Sequence, residues 1–226
     1  MKKKKVGFIL LAAVCCCMFP RLKSKASEAE KDLFFEKETQ TLINGEPAGP
    51  PKILKVWLKG NRIRYASDED TNTYVLILMD KGKSYEFNKL EKTFKESTGE
   101  MAKVREMSEH TMVISKRTGQ KKKIGEWNCY EVTLDATIQK QKIHAFCWLT
   151  EDIHISQELM QRMAKFTQMK LMEELAKFPG YPVKMIMDST VQNKNVRVVN
   201  TLTHISKEPL KADFFKIPFD FTKINP

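Results

Sequence analysis

Apolar and polar residues alternate along most of the chain in short runs, the period-2 pattern of half-buried strands. Segments 53–59 and 62–66 flank Gly60-Asn61, a two-residue separation that suits a tight hairpin. Segment 73–79 is a dense aromatic and aliphatic run, Lys81-Gly82-Lys83 turns the chain, and 84–88 and 92–96 alternate in the same way. Segments 127–134 and 142–150 make the next pair. The last is 183–192 and 196–205, separated by Asn193-Lys194-Asn195. This spacing predicts an antiparallel meander.

One long helix is expected to interrupt the strands. Ser156 is a suitable N-cap, Glu158 suits the positive end of the helix dipole, and Pro179-Gly180 stops a helix running to about Lys177. At 100° per residue Leu159, Met160, Met163 and Phe166 cluster on one side, while Leu171, Met172, Leu175 and Ala176 cluster on another. Either the helix bends near 168–170, or its two halves bury against different surfaces.

Charge first suggests a nucleic-acid binder: 226 residues, 39 Lys plus Arg against 28 Asp plus Glu, a net +11. Position undoes that reading. Residues 1–26 hold seven of the positive charges, no acid and three cysteines, Cys15, Cys16 and Cys17; the rest carries 32 basic against 28 acidic residues. Lys2, Lys3, Lys4 and Lys5 precede an apolar run over 6–19 broken only by Gly7. That is the build of an export signal, too short to span a bilayer comfortably. Ser24-Lys25-Ala26 places cleavage after Ala26. An uncleaved anchor and a lipidated cysteine are the alternatives, the latter lacking a small residue just before the cysteine. Residues 27–226 then form one domain in an oxidising compartment, since no repeat or linker divides them.

No sequence constellation for catalysis is visible: GxGxxG, GxxxxGK[ST], HExxH and GxSxG are absent, as is CxxC after residue 26. His110, His144, His154 and His204 are scattered; of these, His144 beside an acid is the pairing that would revive an enzyme reading. Asp68-Glu69-Asp70 reads as a solvated hairpin loop without the glycine and distal glutamate of a calcium loop. No cofactor and no metal are expected. The basic run Lys116-Arg117 and Lys121-Lys122-Lys123 could touch anionic lipid headgroups, but reads first as a lysine-guarded strand edge. It lacks the interleaved aromatics of a nucleic-acid surface.

Cys129 and Cys147 stand directly opposite one another in one register of the 127–134/142–150 hairpin, which in an oxidising compartment favours a disulfide. A one-residue slip would separate their faces, and two reduced cysteines packed as small apolar residues is the other reading. Methionine is more suggestive. Of the ten after residue 26, six (Met160, Met163, Met169, Met172, Met185 and Met187) fall in the helix or the strand after it. Together with Phe166 and Trp148 they are candidate lining for an apolar cavity between sheet and helix; the alternative is that they fill a core.

The stretch TGQKKKIGEWNCYEV at 118–132, then Trp148-Leu149-Thr150, Phe178-Pro179-Gly180-Tyr181-Pro182 and Phe215-Lys216-Ile217-Pro218, resembles a family of secreted bacterial domains of unknown function. That family is related to the outer-membrane lipoprotein carriers (LolA/LolB-like). The similarity covers most of 35–225. It implies an α+β, mostly antiparallel β fold: a strongly curved half-open β-barrel covered by a long helix, with a cavity that in the carriers accepts acyl chains.

The expected function is therefore non-enzymatic: an exported periplasmic protein that binds a lipid, acyl chain or acylated protein, with peripheral membrane contact. The alternative is an envelope sensory or protein-interaction module on the same fold.

Overall fold

Among the described residues thirteen strands form one sheet whose spatial order is not their chain order. The computed structural model describes residues 32–96, 111–138, 141–167 and 170–225, without the side chains of 165–167. The expected export signal lies outside these residues, as do His110 and Met169 and the Phe166 side chain. No helix among the described residues is long and apolar enough to cross a membrane.

β1 (Leu33–Ile43) is the centre of the assembly. On one side it pairs with β3 (Lys52–Lys59) and starts a meander through β4 (Arg62–Ser67), β5 (Thr73–Leu78), β6 (Lys83–Asn88) and β7 (Thr93–Glu96). On the other it pairs with β12 (Lys194–Ser206), followed outward by β11 (Tyr181–Val191), β10 (Gln141–Thr150), β9 (Trp127–Ile138) and β8 (Met112–Ile124). All these pairings are antiparallel. Two residues of β2 (Glu46–Pro47) fold back on β1, and β13 (Thr222–Lys223) adds in parallel to β7. The path runs from β13 to β8 without closing, so this is an open sheet rather than a barrel.

Local chemistry explains the expected hairpins. Gly60 (φ 54°) and Gly82 (φ 60°) take the left-handed conformation their turns require, at little cost without a Cβ. β1 itself was not foreseen, because Glu36, Lys37, Glu38, Thr39 and Gln40 hide its alternation; its role is created by pairing with β12, a strand far along the chain.

Where one long helix is expected, the structure describes two helical segments, α1 (Gln157–Thr167) and α2 (Lys170–Leu175), on either side of residues 168–169. Ser156 caps α1 as expected: its Oγ accepts from Leu159 N at 3.1 Å. α1 packs near the 3-10 turn Met79–Lys81 after β5, whereas α2 packs on β8 and β9. These contacts lie far apart in strand order, so the sheet curls around the pair. The separate apolar stripes of the two halves thus answer to two different surfaces.

Each face of the sheet has its own core. The helix face buries Phe35, Val56, Leu58, Ile63, Val132, Leu134, Ala145, Cys147, Met185, Met187 and Val198 under Leu159, Met160, Met163, Leu171, Met172 and Leu175. The second face is covered over β4–β7 by the chain after β12, where Tyr74, Leu76, Tyr85, Phe87 and Phe94 meet Phe215, with Trp57, Phe214 and Phe221 at the margin. At roughly 1.5–3 kcal/mol for each fully buried large apolar side chain, both clusters are substantial stabilisers.

Candidate functional site

The second face over β8–β12 and β1 carries a groove of about 790 Å³. Register builds its floor. Asp135 stands opposite Ile114 and His144, His144 opposite Asp188, Asp188 opposite Arg197, and Arg197 opposite Leu42. Directly opposed residues project from the same side, so six strands contribute one continuous cross-strand row: Ile114, Asp135, His144, Asp188, Arg197 and Leu42. Met112, Thr137, Lys142, Thr190 and Asn195 extend the lining along the strands.

The row's centre is polar and internally bonded. His144 Nδ1 lies 2.5 Å from Asp135 Oδ1, which orients the imidazole. Arg197 donates from Nε and Nη2 to the two Asp188 oxygens at 2.6 and 2.8 Å, a bidentate pair. The guanidinium holds the Asp188 carboxyl below its usual value, and the carboxylate in return raises Arg197. The Phe146 ring meets His144 edge to face at 4.4 Å. Both ends of the row are apolar, Leu42 half-buried and Ile114 68% exposed, with Met112, two residues along β8 from Ile114, 74% exposed. A polar centre with apolar ends suits an amphiphile. For acid–base chemistry it offers His144 with Asp135, but no group of three metal-ligating side chains lies together among the described residues.

The expected lining is elsewhere. Met160, Met163 and Met172 on the helices and Met185 and Met187 on β11 are brought together, but as buried members of the core. The void beside Met185 is about 10 Å³, too small for an alkyl chain. Trp148 belongs to the same buried cluster, and its ring also carries the Lys122 ammonium 3.6 Å from its centroid. These five methionines thus pack as core side chains, as an unbranched residue readily does.

The expected cysteine pair is corrected in the same way. Both cysteines are buried and are not joined in a disulfide. Cys129 stands opposite Thr150 and Cys147 opposite Val132, three residues away from the expected register. An odd shift puts the two on opposite faces, about 10 Å apart along the strand, beyond disulfide reach. The cause is burial. The expected register would carry Glu131 and Thr133 into the core beside Ala145 and Ile143, whereas the observed one buries Val132, Leu134 and Ala136 there.

Of the groove residues only His144 was singled out from sequence. Asp135 was assigned to a hairpin loop that proves to be strand, and Asp188 and Arg197 are ordinary outward polar positions until register aligns them. The one available signal was that each of these strands carries a titratable polar residue, Asp135, His144, Asp188 or Arg197.

No curated protein sequence matches the chain. Among solved structures it is similar to PNGF-II, at 11% identity and a TM-score of 0.44, covering 87% of this chain but 32% of that one, so the chain spans about a third of PNGF-II. It is also similar to a DUF1329 family protein from Desulfovibrio piger (10% identity, TM-score 0.37, 84% and 91% covered). A third is a putative outer membrane lipoprotein-sorting protein domain from Vibrio parahaemolyticus (9% identity, TM-score 0.35, 82% and 89% covered). The family model that matches, over residues 58–221 and thus most of the chain, is Domain of unknown function (DUF4412), and the chain belongs to that family.

Proposed function

We propose that the protein is an exported, non-enzymatic binding protein of the periplasm that holds a lipid, an acyl chain or an acylated protein against the second face of its sheet. The observation that carries this reading is the 790 Å³ groove, whose size falls in the usual range of ligand sites and whose polar row ends on β8 at exposed Ile114, with exposed Met112 two residues along. At about 0.8 kcal/mol per buried methylene, even a short acyl chain is a worthwhile ligand without catalytic help. The sequence resemblance to the outer-membrane lipoprotein carriers supports the same ligand class. The site proposed differs from the one that resemblance implies, because the space between sheet and helices is occupied by core side chains.

The test is mass spectrometry of the organic extract of purified protein, alongside a Met112→Asp/Ile114→Asp variant. Stoichiometric acyl lipid from the wild type and little from the variant supports the groove. Equal lipid from both moves the ligand elsewhere. An extract empty of lipid favours the alternative, an envelope interaction module.

A further inference from the structure

The far end of the β8–β9 hairpin holds a second pocket, independent of the groove, and its chemistry is cationic. It measures about 410 Å³ and is lined by Arg117, Lys121, Lys122 and Lys123 together with Asn128, Tyr130, Glu151 and Asp152. We propose that this pocket binds a phosphate-bearing group, presented as the headgroup of an anionic lipid or as a soluble phosphate compound.

Three features distinguish it from a solvated lysine run. The first is a bulge. Arg117 stands opposite Val132 and Lys121 opposite Tyr130, so four steps along β8 span only two along β9. The extra residues are absorbed at Thr118-Gly119-Gln120, where Gly119 has φ +85°. Two cations that regular pairing would hold four residues apart are thereby drawn to neighbouring positions beside one tyrosine.

The second is preorganisation. The Arg117 guanidinium lies 3.8 Å from the Tyr130 ring centroid and the Lys122 ammonium 3.6 Å from that of Trp148. Tyr130 is itself held by donating its hydroxyl to the Pro179 carbonyl, and Trp148 is buried. Cations anchored on buried rings surrender less freedom on binding than free lysines do.

The third is that two nearby acids, Glu131 and Asp152, have partners of their own, which leaves Glu151 as the one acid of the lining set against four cations. Glu131 accepts from Thr118 Oγ1 at 2.8 Å. Asp152 accepts from Asn128 N at 2.8 Å and Asn128 Nδ2 at 3.3 Å. None of the four cations forms an ion pair among the described residues. The pocket thus offers a fork and several ammonium donors to an oxyanion, with Arg117 suited to two oxygens at once.

The experiment compares sedimentation with vesicles of phosphatidylglycerol mixed into phosphatidylcholine, vesicles of phosphatidylcholine alone, and titration with inorganic pyrophosphate followed by NMR. It uses the wild type and an Arg117→Gln/Lys121→Gln/Lys122→Gln/Lys123→Gln variant. A control neutralises Lys52, Lys55, Lys194 and Lys207, changing the same number of charges outside the pocket. Binding to the anionic vesicles that weakens with salt and falls at least tenfold in the pocket variant, but not in the control, supports a lipid headgroup. Pyrophosphate binding lost in the same variant without vesicle binding supports a soluble phosphate. Binding to neither probe, equal loss in the control, or preference for a single-stranded oligonucleotide overturns the proposal. The amount of lipid extracted from the groove is expected to be unchanged in the pocket variant, which separates failure here from failure of the groove reading.

Discussion

The guanidinium of Arg64 lies 3.7 Å from the centroid of the Tyr74 ring, on the neighbouring strand of the second face. The Phe214 ring covers its other side at 4.0 Å, and Arg64 Nη1 donates to the Phe214 carbonyl oxygen at 3.0 Å. Burial lowers the Arg64 pKa, yet arginine remains charged at any ordinary pH. One side chain therefore ties β4, β5 and the segment after β12 together. Arg64→Met keeps the apolar stem and removes stacking and hydrogen bond. A loss of about 1–3 kcal/mol is expected in urea denaturation, with faster proteolysis between 207 and 225. Unchanged proteolysis there would show that the arginine does not hold the segment.

Gly180 is a backbone requirement. Its φ is +95°, and a Cβ would lie 2.4 Å from the Thr150 carbonyl oxygen. Gly180→Ala is expected to cost about 3 kcal/mol or more in chemical denaturation, since backbone must shift. Gly60→Ala, with φ +54° but open space around it, is expected to cost about 1 kcal/mol.

Met172 and Met187 separate core from cavity. Both are buried in the helix-face cluster. Met172→Ala and Met187→Ala are each expected to cost about 2–5 kcal/mol, the range for truncation in a packed core. Values near 1 kcal/mol would mean that these side chains face open space and would return the ligand to the sheet–helix interior.

Cys129 and Cys147 are expected to titrate as two thiols per chain in a denatured protein that begins at Ser27, without reductant. In the folded protein Cys129 reacts more slowly, because burial pushes its thiol pKa up and leaves less thiolate. Recovery of no thiol would contradict the hairpin register.

Asp188 makes the acid-side prediction. Its native pKa is depressed by Arg197, so the pair stabilises the fold above the unfolded value near 3.8, and this is lost as pH falls through the lower native value. Because the pair is partly exposed, Asp188→Asn is expected to cost only about 0.5–1 kcal/mol at pH 7. The difference from wild type should vanish below the native pKa; a difference that persists there would assign the effect to packing.

Much of the strand map was legible because each hairpin is local: alternation within 53–96 and within 127–205 needs only neighbours to be read. The Ser156 cap and the turn at Gly60-Asn61 were legible for the same reason. β1 was not, since its pairing with β12 joins residues more than 150 positions apart, and its polar stretch gives no apolar stripe. Nor was the site. A groove floor made of Asp135, His144, Asp188 and Arg197 exists only once three registers are set, and each register is chosen by which residues the core can bury, as the cysteine hairpin shows.

The sequence by itself determined the alternating strands, a helix capped at Ser156 and the cationic run at 116–123, because those depend on local periodicity and charge. The tertiary structure alone decided that Met160, Met163, Met172, Met185 and Met187 pack in one buried cluster, that the cysteines face apart, and that polar residues on four strands line up in one groove. Period-2 side chains change face with any odd shift of register, and only the burial balance of the whole sheet sets that shift.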